Sequence, residues 1–222
     1  MLASCGNDKF VRVWDVEKGI QVYTLRGHSG DAFVVSWSPD GSRIAWAGAD
    51  FLVRVYKVRG YGGGFTLSGH SYAVNSLAWS PDGNSLASWD PGGTVRVWDL
   101  KTRSQSHIFT GLKNELTEHS WGGGADIAWD PKGGRLAGCD GKTIRIWPIS
   151  RGEKKGRGPS PSPPALGDLG PGKEPIVKEY GGVKDDSVLT FEEHKNTVVA
   201  IGYSPNGDKL ASGDGNGIVK VW

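Results

Sequence analysis

The sequence is poor in the features that mark most functional classes. Two cysteines, Cys5 and Cys139, are too few for a disulfide framework. No apolar run approaches the ~20 residues that carry a helix across a bilayer. The first residues, MLASCGNDKF, hold neither a basic n-region nor an apolar h-region, so no secretory signal is expected in them. Strong charge of one sign is missing too. The 26 Lys and Arg stand against 24 Asp and Glu, for a formal charge of +2 and a pI near 8.5. That balance gives no direct signal for a nucleic-acid or membrane surface and fits a protein-binding role better. Uninterrupted helical stretches are scarce, because Gly or Pro breaks nearly every window of about 10 to 12 residues. The expected compartment is the cytoplasm, or the nucleus.

What is abundant is glycine and tryptophan, 35 and 10 of the 222 residues. Glycine spread along the chain implies many tight turns between short strands. A repeat organises them. VRVWD ends at Asp15, LVRVY at Tyr56, TVRVWD at Asp99, TIRIW at Trp147 and IVKVW at Trp222. The step from Trp14 to Tyr56, and again to Trp98, is 42 residues. Gly27-His28 returns at Gly69-His70, and the turn SPDG at Ser38 returns at Ser80. Looser copies of that turn begin at Asp130 and Ser204.

Each unit reads as four short strands, here termed a to d. In the third, AVNSLAWS (73–80), NSLASW (84–89), TVRVWD (94–99) and SQSHIFT (104–110) are the expected strands. The alternation of valine with arginine in VRV is the period-2 pattern of extended chain. Pro and Asp-Gly in SPDG set the turn between the first two strands.

Four short strands per 40-odd residues, with Gly-His early and Trp-Asp late, resembles the WD-repeat (Trp-Asp repeat) β-propeller family over nearly the whole length. The resemblance implies an all-β propeller with about five blades represented, three complete and two partial, and a larger ring as the parent. The expected blade segments are 1–25, 32–67, 73–110, 125–191 and 197–222. Met1 aligns inside a hairpin, one residue before the Leu-Ala of strand b, and Trp222 lies on strand c. Completion of the ring by further sequence is the expected reading. A small ring in which the partial blades pair, or completion by a second copy, are the alternatives.

In that family a His ahead of strand a, a Ser or Thr in strand b, an Asp in the b–c turn and the strand-c Trp form a hydrogen-bonded chain. Such a chain satisfies buried polar groups, which cost ~1–3 kcal/mol each when unpaired. The matching positions are Ser4, Asp8 and Trp14 in the first unit. His28 and Asp50 match in the second, with Trp46 in place of Ser and Tyr56 in place of Trp. The third has His70, Ser88 and Trp98, with Gly92 where Asp belongs and Asp90 two residues early. The fourth has His119 and Trp147, with Gly138 in place of Ser and a turn one residue short around Asp140. The fifth has His194, Ser212 and Trp222, with Asn216 at the Asp position. No unit carries all four at these positions, so a partial network is expected.

The register also bears on Cys5 and Cys139. They fall at equivalent points of units that are not neighbours, too far apart for a bridge, so reduced, buried thiols are expected. The rhythm breaks over 148–186, a Pro-, Gly-, Ser- and charge-rich insertion between strands c and d of the fourth unit. Its composition cannot offset its ordering entropy, which marks a disordered loop. VLTF (188–191) is the strand d that follows it. Four basic residues between Arg151 and Arg157, and the SPSPP run, are weak interaction signals. YGGG (61–64) reads as a flexible connector.

A recurring set of His, Ser and Asp argues against a hydrolytic triad, which would occur once. His28, His70, His119 and His194 fall in separate units and suggest no metal cluster, and His107 has no obvious companion. No Gly loop followed by Lys-Ser/Thr is present to cradle phosphate. No cofactor, metal or catalytic residue is expected. Family resemblance implies a scaffold that binds proteins or peptides on the face built by the b–c turns and d–a loops. Asp31, Tyr72 and Trp121 map to the d–a loops of that face, and Trp46 and Trp89 to strand-b ends near it. Trp46 and Trp89 have a second reading as fillers between blades. Membership of a large multiprotein or ribonucleoprotein assembly is the alternative function.

Overall fold

A computed structural model describes residues 1–58, 63–110, 126–149 and 188–222. Among these residues there are 18 strands and no helix. The first sheet holds β1 (Leu2–Cys5), β2 (Val11–Asp15) and β3 (Ile20–Leu25). The second holds β4 (Ala32–Trp37), β5 (Arg43–Gly48), β6 (Val53–Lys57) and β7 (Phe65–Leu67). The third holds β8 (Ser76–Trp79), β9 (Ser85–Asp90), β10 (Thr94–Asp99) and β11 (Ser104–Phe109). The fourth holds β12 (Ile127–Trp129), β13 (Arg135–Asp140), β14 (Thr143–Pro148) and β15 (Leu189–Phe191), and the fifth β16 (Val198–Tyr203), β17 (Leu210–Asp214) and β18 (Val219–Val221).

Every pairing is antiparallel between neighbours in sequence. That topology puts the a–b and c–d turns at one end of all five sheets and the b–c turns and d–a loops at the other. The third sheet's first strand is shorter than the 73–80 expected. Val74 and Asn75 instead give their amides to Gly48 O and Trp89 O, at 3.1 and 3.0 Å. The first of these bonds ties the third sheet's entry to the second sheet. The insertion lies outside the described residues except for its first two, Pro148 and Ile149.

The sheets stack face on face in chain order and do not close into a ring. One rule repeats at each interface. Small strand-b residues and the two apolar residues of strand c face the next sheet, which answers with its strand-a aromatic, strand-b leucine and strand-c aromatic. Between the second and third sheets, Ala45, Ala47, Val53 and Val55 meet Leu77, Trp79, Leu86 and Trp98. Between the third and fourth, Ala87, Val95 and Val97 meet Trp129, Leu136 and Trp147. Each fully buried Val or Leu contributes about 1.5–3 kcal/mol, so packing between sheets, not within them, dominates stability.

The a–b turns are built alike. Gly41, Gly83, Gly133 and Gly207 all take positive φ, between 65° and 75°, a conformation that penalises any Cβ. Ser38 and Ser80 receive the amides of Arg43 and Ser85 and donate to Asp40 and Asp82. A clamp crosses two of the interfaces at this end. Arg43 gives a hydrogen bond to Gly83 O at 2.6 Å and lies over the Trp79 ring. Arg135 repeats the device on Gly207 O and Tyr203. At the opposite end, the carboxylate of Asp126 joins three sheets. It accepts from the Ser76 hydroxyl at 3.0 Å, from the Ile127 amide at 2.9 Å and from the Ile201 amide at 3.3 Å.

Neither Cys5 nor Cys139 is in a disulfide. Cys139 is fully buried, where its sulfur receives the Asp126 amide. Cys5 is half-buried, and burial raises its thiol above the usual range.

Candidate functional site

The third and fifth sheets hold complete hydrogen-bonded chains. Trp98 Nε1 donates to Ser88 Oγ at 2.8 Å, and Ser88 Oγ lies 2.6 Å from His70 Nε2. His70 Nδ1 meets Asp90 Oδ2 at 2.5 Å. A carboxylate on Nδ1 requires the N–H there, which leaves Nε2 to accept the serine hydroxyl. In the fifth sheet Trp222, Ser212, His194 and Asp214 repeat the order at 2.9, 2.7 and 3.0 Å. The hydrogen bond from His194 and the amides of Ile218 and Asn216 hold the Asp214 carboxyl below its ordinary range.

This corrects the expectation that no unit would be complete. The aspartate that meets the histidine is Asp90, not a residue at position 92, and Asp214, not Asn216. Asn216 pairs with Asn196 at 2.9 Å instead. The His Nδ1 can be reached from the last residue of strand b or from two residues beyond it. In the second sheet Gly48 ends the strand, and Asp50 reaches back from the turn to His28 Nδ1 at 2.6 Å. Arg54 closes on the other oxygen at 2.9 Å. Burial, then the Arg54 charge, lowers the pKa of His28 against the pull of Asp50.

Elsewhere the chain is partial. Trp14 Nε1 donates to Ser4 Oγ at 2.9 Å, while Asp8 sits at the surface, bound to Arg12 at 2.6 Å and to the Phe10 amide. In the fourth sheet a Cβ on Gly138 would come within 2.8 Å of the Trp147 ring. Trp147 fills the place a serine would take and stacks on Phe109 at 5.0 Å. His119 and Trp121 lie outside the described residues.

Of the residues expected on the b–c and d–a face, the structure separates two kinds. Trp46 and Trp89 are buried, 4% and 1% exposed, and are not available to a partner. Trp46 packs with Val11, Val13 and Ile44 between the first two sheets, and Trp89 with Ile127 and Leu136 between the third and fourth. A residue near the end of strand b still points into a sheet interface, so bulk there becomes core. Tyr72, by contrast, is 56% exposed. Asp31 is half-buried, and its carbonyl receives the Ala49 amide at 2.9 Å. Phe51, 43% exposed at the b–c turn of the second sheet, was not singled out by sequence reasoning. Its signal was the turn position it shares with Gly93, Gly141 and Gly217, where three of the five repeats use glycine.

Among the described residues no group of three His, Cys, Asp or Glu side chains could hold a metal ion, and no helix is long and apolar enough to cross a membrane.

Comparison with known proteins agrees with this architecture. The model of the WD40 family, described as "WD domain, G-beta repeat", matches residues 1–15, 19–57, 64–99, 112–148 and 185–222. Ribosome assembly protein 4 of Chaetomium thermophilum is 45% identical over 132 residues, covering 55% of this chain and 25% of that protein. Coronin-7 of Homo sapiens is 42% identical over 45 residues, 20% of this chain and 5% of its own length. The F-box-like/WD repeat-containing protein TBL1X of Mus musculus is 49% identical over 41 residues, 18% of this chain and 8% of its own length. The chain thus spans a quarter or less of the length of these relatives.

Proposed function

Because the chain belongs to the WD40, G-beta repeat family, we propose that it is a non-catalytic scaffold whose b–c turns and d–a loops bind partner proteins or peptides. One observation carries the reading. The groups that could do chemistry, the recurring His, Asp and Ser, are bound to one another and buried inside the sheets. What the loops offer outward is side-chain surface such as Tyr72. Exposed aromatics on a rigid frame are common anchors at protein interfaces.

The test is partner capture by cross-linking on the full chain, repeated with substitutions at the two ends of the sheets. Tyr72→Ala and Asp31→Lys, on the b–c end, are expected to change the set of bound partners. Lys132→Glu and Asp208→Lys, an exposed pair at the a–b end, are expected to leave them. Loss with the second pair alone would refute the assignment of the face.

A second reading, a subunit of a large multiprotein or ribonucleoprotein assembly, is favoured by the similarity to a protein named for ribosome assembly. Gradient sedimentation of native extract would separate the two. Migration at high mass that collapses on nuclease treatment supports the assembly, and migration as a small complex does not.

A further inference from the structure

A residue of the b–c turn, one to four positions past the end of strand b, takes positive φ in every repeat: 69° at Lys9, 65° at Phe51, 77° at Gly93, 55° at Gly141 and 81° at Gly217. A left-handed backbone crowds any Cβ, which is why glycine serves in three of the five. Phe51 holds that conformation with 43% of its surface in solvent, so burial does not compensate for the strain. Backbone strain in a bulky residue left this exposed points to use at the surface.

A second aromatic lies on the next repeat. Tyr72 is 56% exposed, and its ring rests on Gly92, where a Cβ would come within 2.4 Å of it. The corresponding residues of two other repeats are Gly30 and Asn196. The Val74 amide on Gly48 O couples the Tyr72 loop to the sheet that carries Phe51.

Two cations lie at the same end of the sheets. Lys9 Nζ donates to Ser29 O at 2.9 Å, and the Ser29 amide donates to Asp50, the neighbour of Phe51. The Lys9 ammonium and the Asp50 carboxylate, next in sequence to Phe51, thereby hold one loop between them. Arg26 is exposed, lies over the Phe10 ring at 4.7 Å and pairs with no carboxylate among the described residues. Nearby acids are engaged: Asp8 with Arg12, Asp50 with His28 and Arg54. Asp31 is the one acid in the 26–31 segment.

We propose that Phe51 and Tyr72, with Lys9 and Arg26, form an anchor for a peptide segment that carries an aromatic or branched aliphatic side chain beside a carboxylate. The inference rests on the scaffold reading and names the partner chemistry of part of its face. Apolar contact with the two rings supplies the hold, and the cations select the flanking charge.

The probe is a panel of fluorescein-labelled dodecapeptides with a central Phe or Leu flanked by Asp or Glu. One matched set carries Lys in place of the acids, and another Ser in place of the apolar residue. Binding to the full chain is read by fluorescence anisotropy and folding by thermal melting. The acidic, apolar peptides are expected to bind at least tenfold tighter than either matched set. Phe51→Gly is expected to weaken them at least tenfold while the melting temperature stays level or rises. Tyr72→Ala should weaken them similarly, and Leu189→Ser, an exposed apolar residue elsewhere, should not. Equal affinity in Phe51→Gly, a lower melting temperature for that variant, equal binding of the Lys set, or no binding at all would overturn the anchor. In any of those cases a changed set of partners with Asp31→Lys in the capture experiment would leave the scaffold reading standing.

Discussion

Ser88→Ala should be among the most costly single-atom deletions in this chain. Ser88 is fully buried and accepts from Trp98 while donating to His70. Removing its hydroxyl leaves an indole N–H and an imidazole nitrogen unpaired between sheets, in a place where Trp98 is 3% exposed and His70 7%. Each orphaned group costs about 1–3 kcal/mol, so a loss of roughly 2–5 kcal/mol follows. Ser4→Ala is the internal control. It strands only the Trp14 indole, at a half-buried site with no histidine, and should cost under about 1 kcal/mol. Stacked repeats can open piecewise, so a single melting curve is a poor gauge. Native-state hydrogen exchange of the β9 and β10 amides, alongside urea titration of tryptophan fluorescence, reads the third sheet directly. A drop below about 0.5 kcal/mol in the opening free energy of those amides, or a drop no larger than for Ser4→Ala, would refute the argument.

Gly48→Ala would put a Cβ within 1.9 Å of Asp31 O, and backbone cannot yield as a side chain can. A loss of soluble, protease-resistant protein is expected, and a normal melting curve would contradict the packing described. Arg43→Ala and Arg135→Ala each remove an inter-sheet hydrogen bond and a cation–ring contact. About 1–2 kcal/mol is expected for each from urea titration, additive in the double variant because the clamps lie on separate interfaces. Acid should weaken the fold in two stages. His28 has a lowered pKa, so its contribution is complete above about 6.5 and declines as pH falls below that. Asp214 also has a lowered pKa, and its contribution is lost at still lower pH, as the folded carboxyl protonates. At the other extreme burial pushes Tyr203 up to about 12, so stability declines as pH rises from about 10 toward 12. Circular dichroism melts across pH would show both limbs; Tyr203→Phe should reduce the alkaline limb, leaving the part due to the half-buried Cys5 thiol.

The strands and their order were legible because they rest on local rules: the VRV alternation, the SPDG turns and a 42-residue step. The hydrogen-bonded chains were half legible. Matching by column placed the aspartate in the turn, so Asp90 was noted only as lying two residues early and Asp214 was missed. The exchange was nevertheless written in the residues. Gly6 and Gly48 precede Asp8 and Asp50 by two, whereas Asp90 and Asp214 precede Gly92 and Asn216 by two. One carboxylate near the histidine can be supplied from either place, and the other place then takes a small or amide residue. Trp46 and Trp89 were the harder case. Whether a large ring near the end of a strand points outward or into an interface depends on the neighbouring sheet, which no local pattern contains. Phe51 was hidden for the opposite reason, since only the backbone angle shows how much the turn resists it.

The carboxylate of Asp126 touches Ser76 on one side and Ile201 on the other, residues of sheets that are not adjacent. Arrays of stacked units usually behave as one-dimensional chains, in which each member senses only its immediate neighbours. Asp126 belongs to the unit between those two sheets, so one carboxylate holds both of that unit's interfaces at once. The two interfaces of the fourth unit are thereby coupled, and a disturbance introduced at Ile201 reaches Ser76 through this carboxylate.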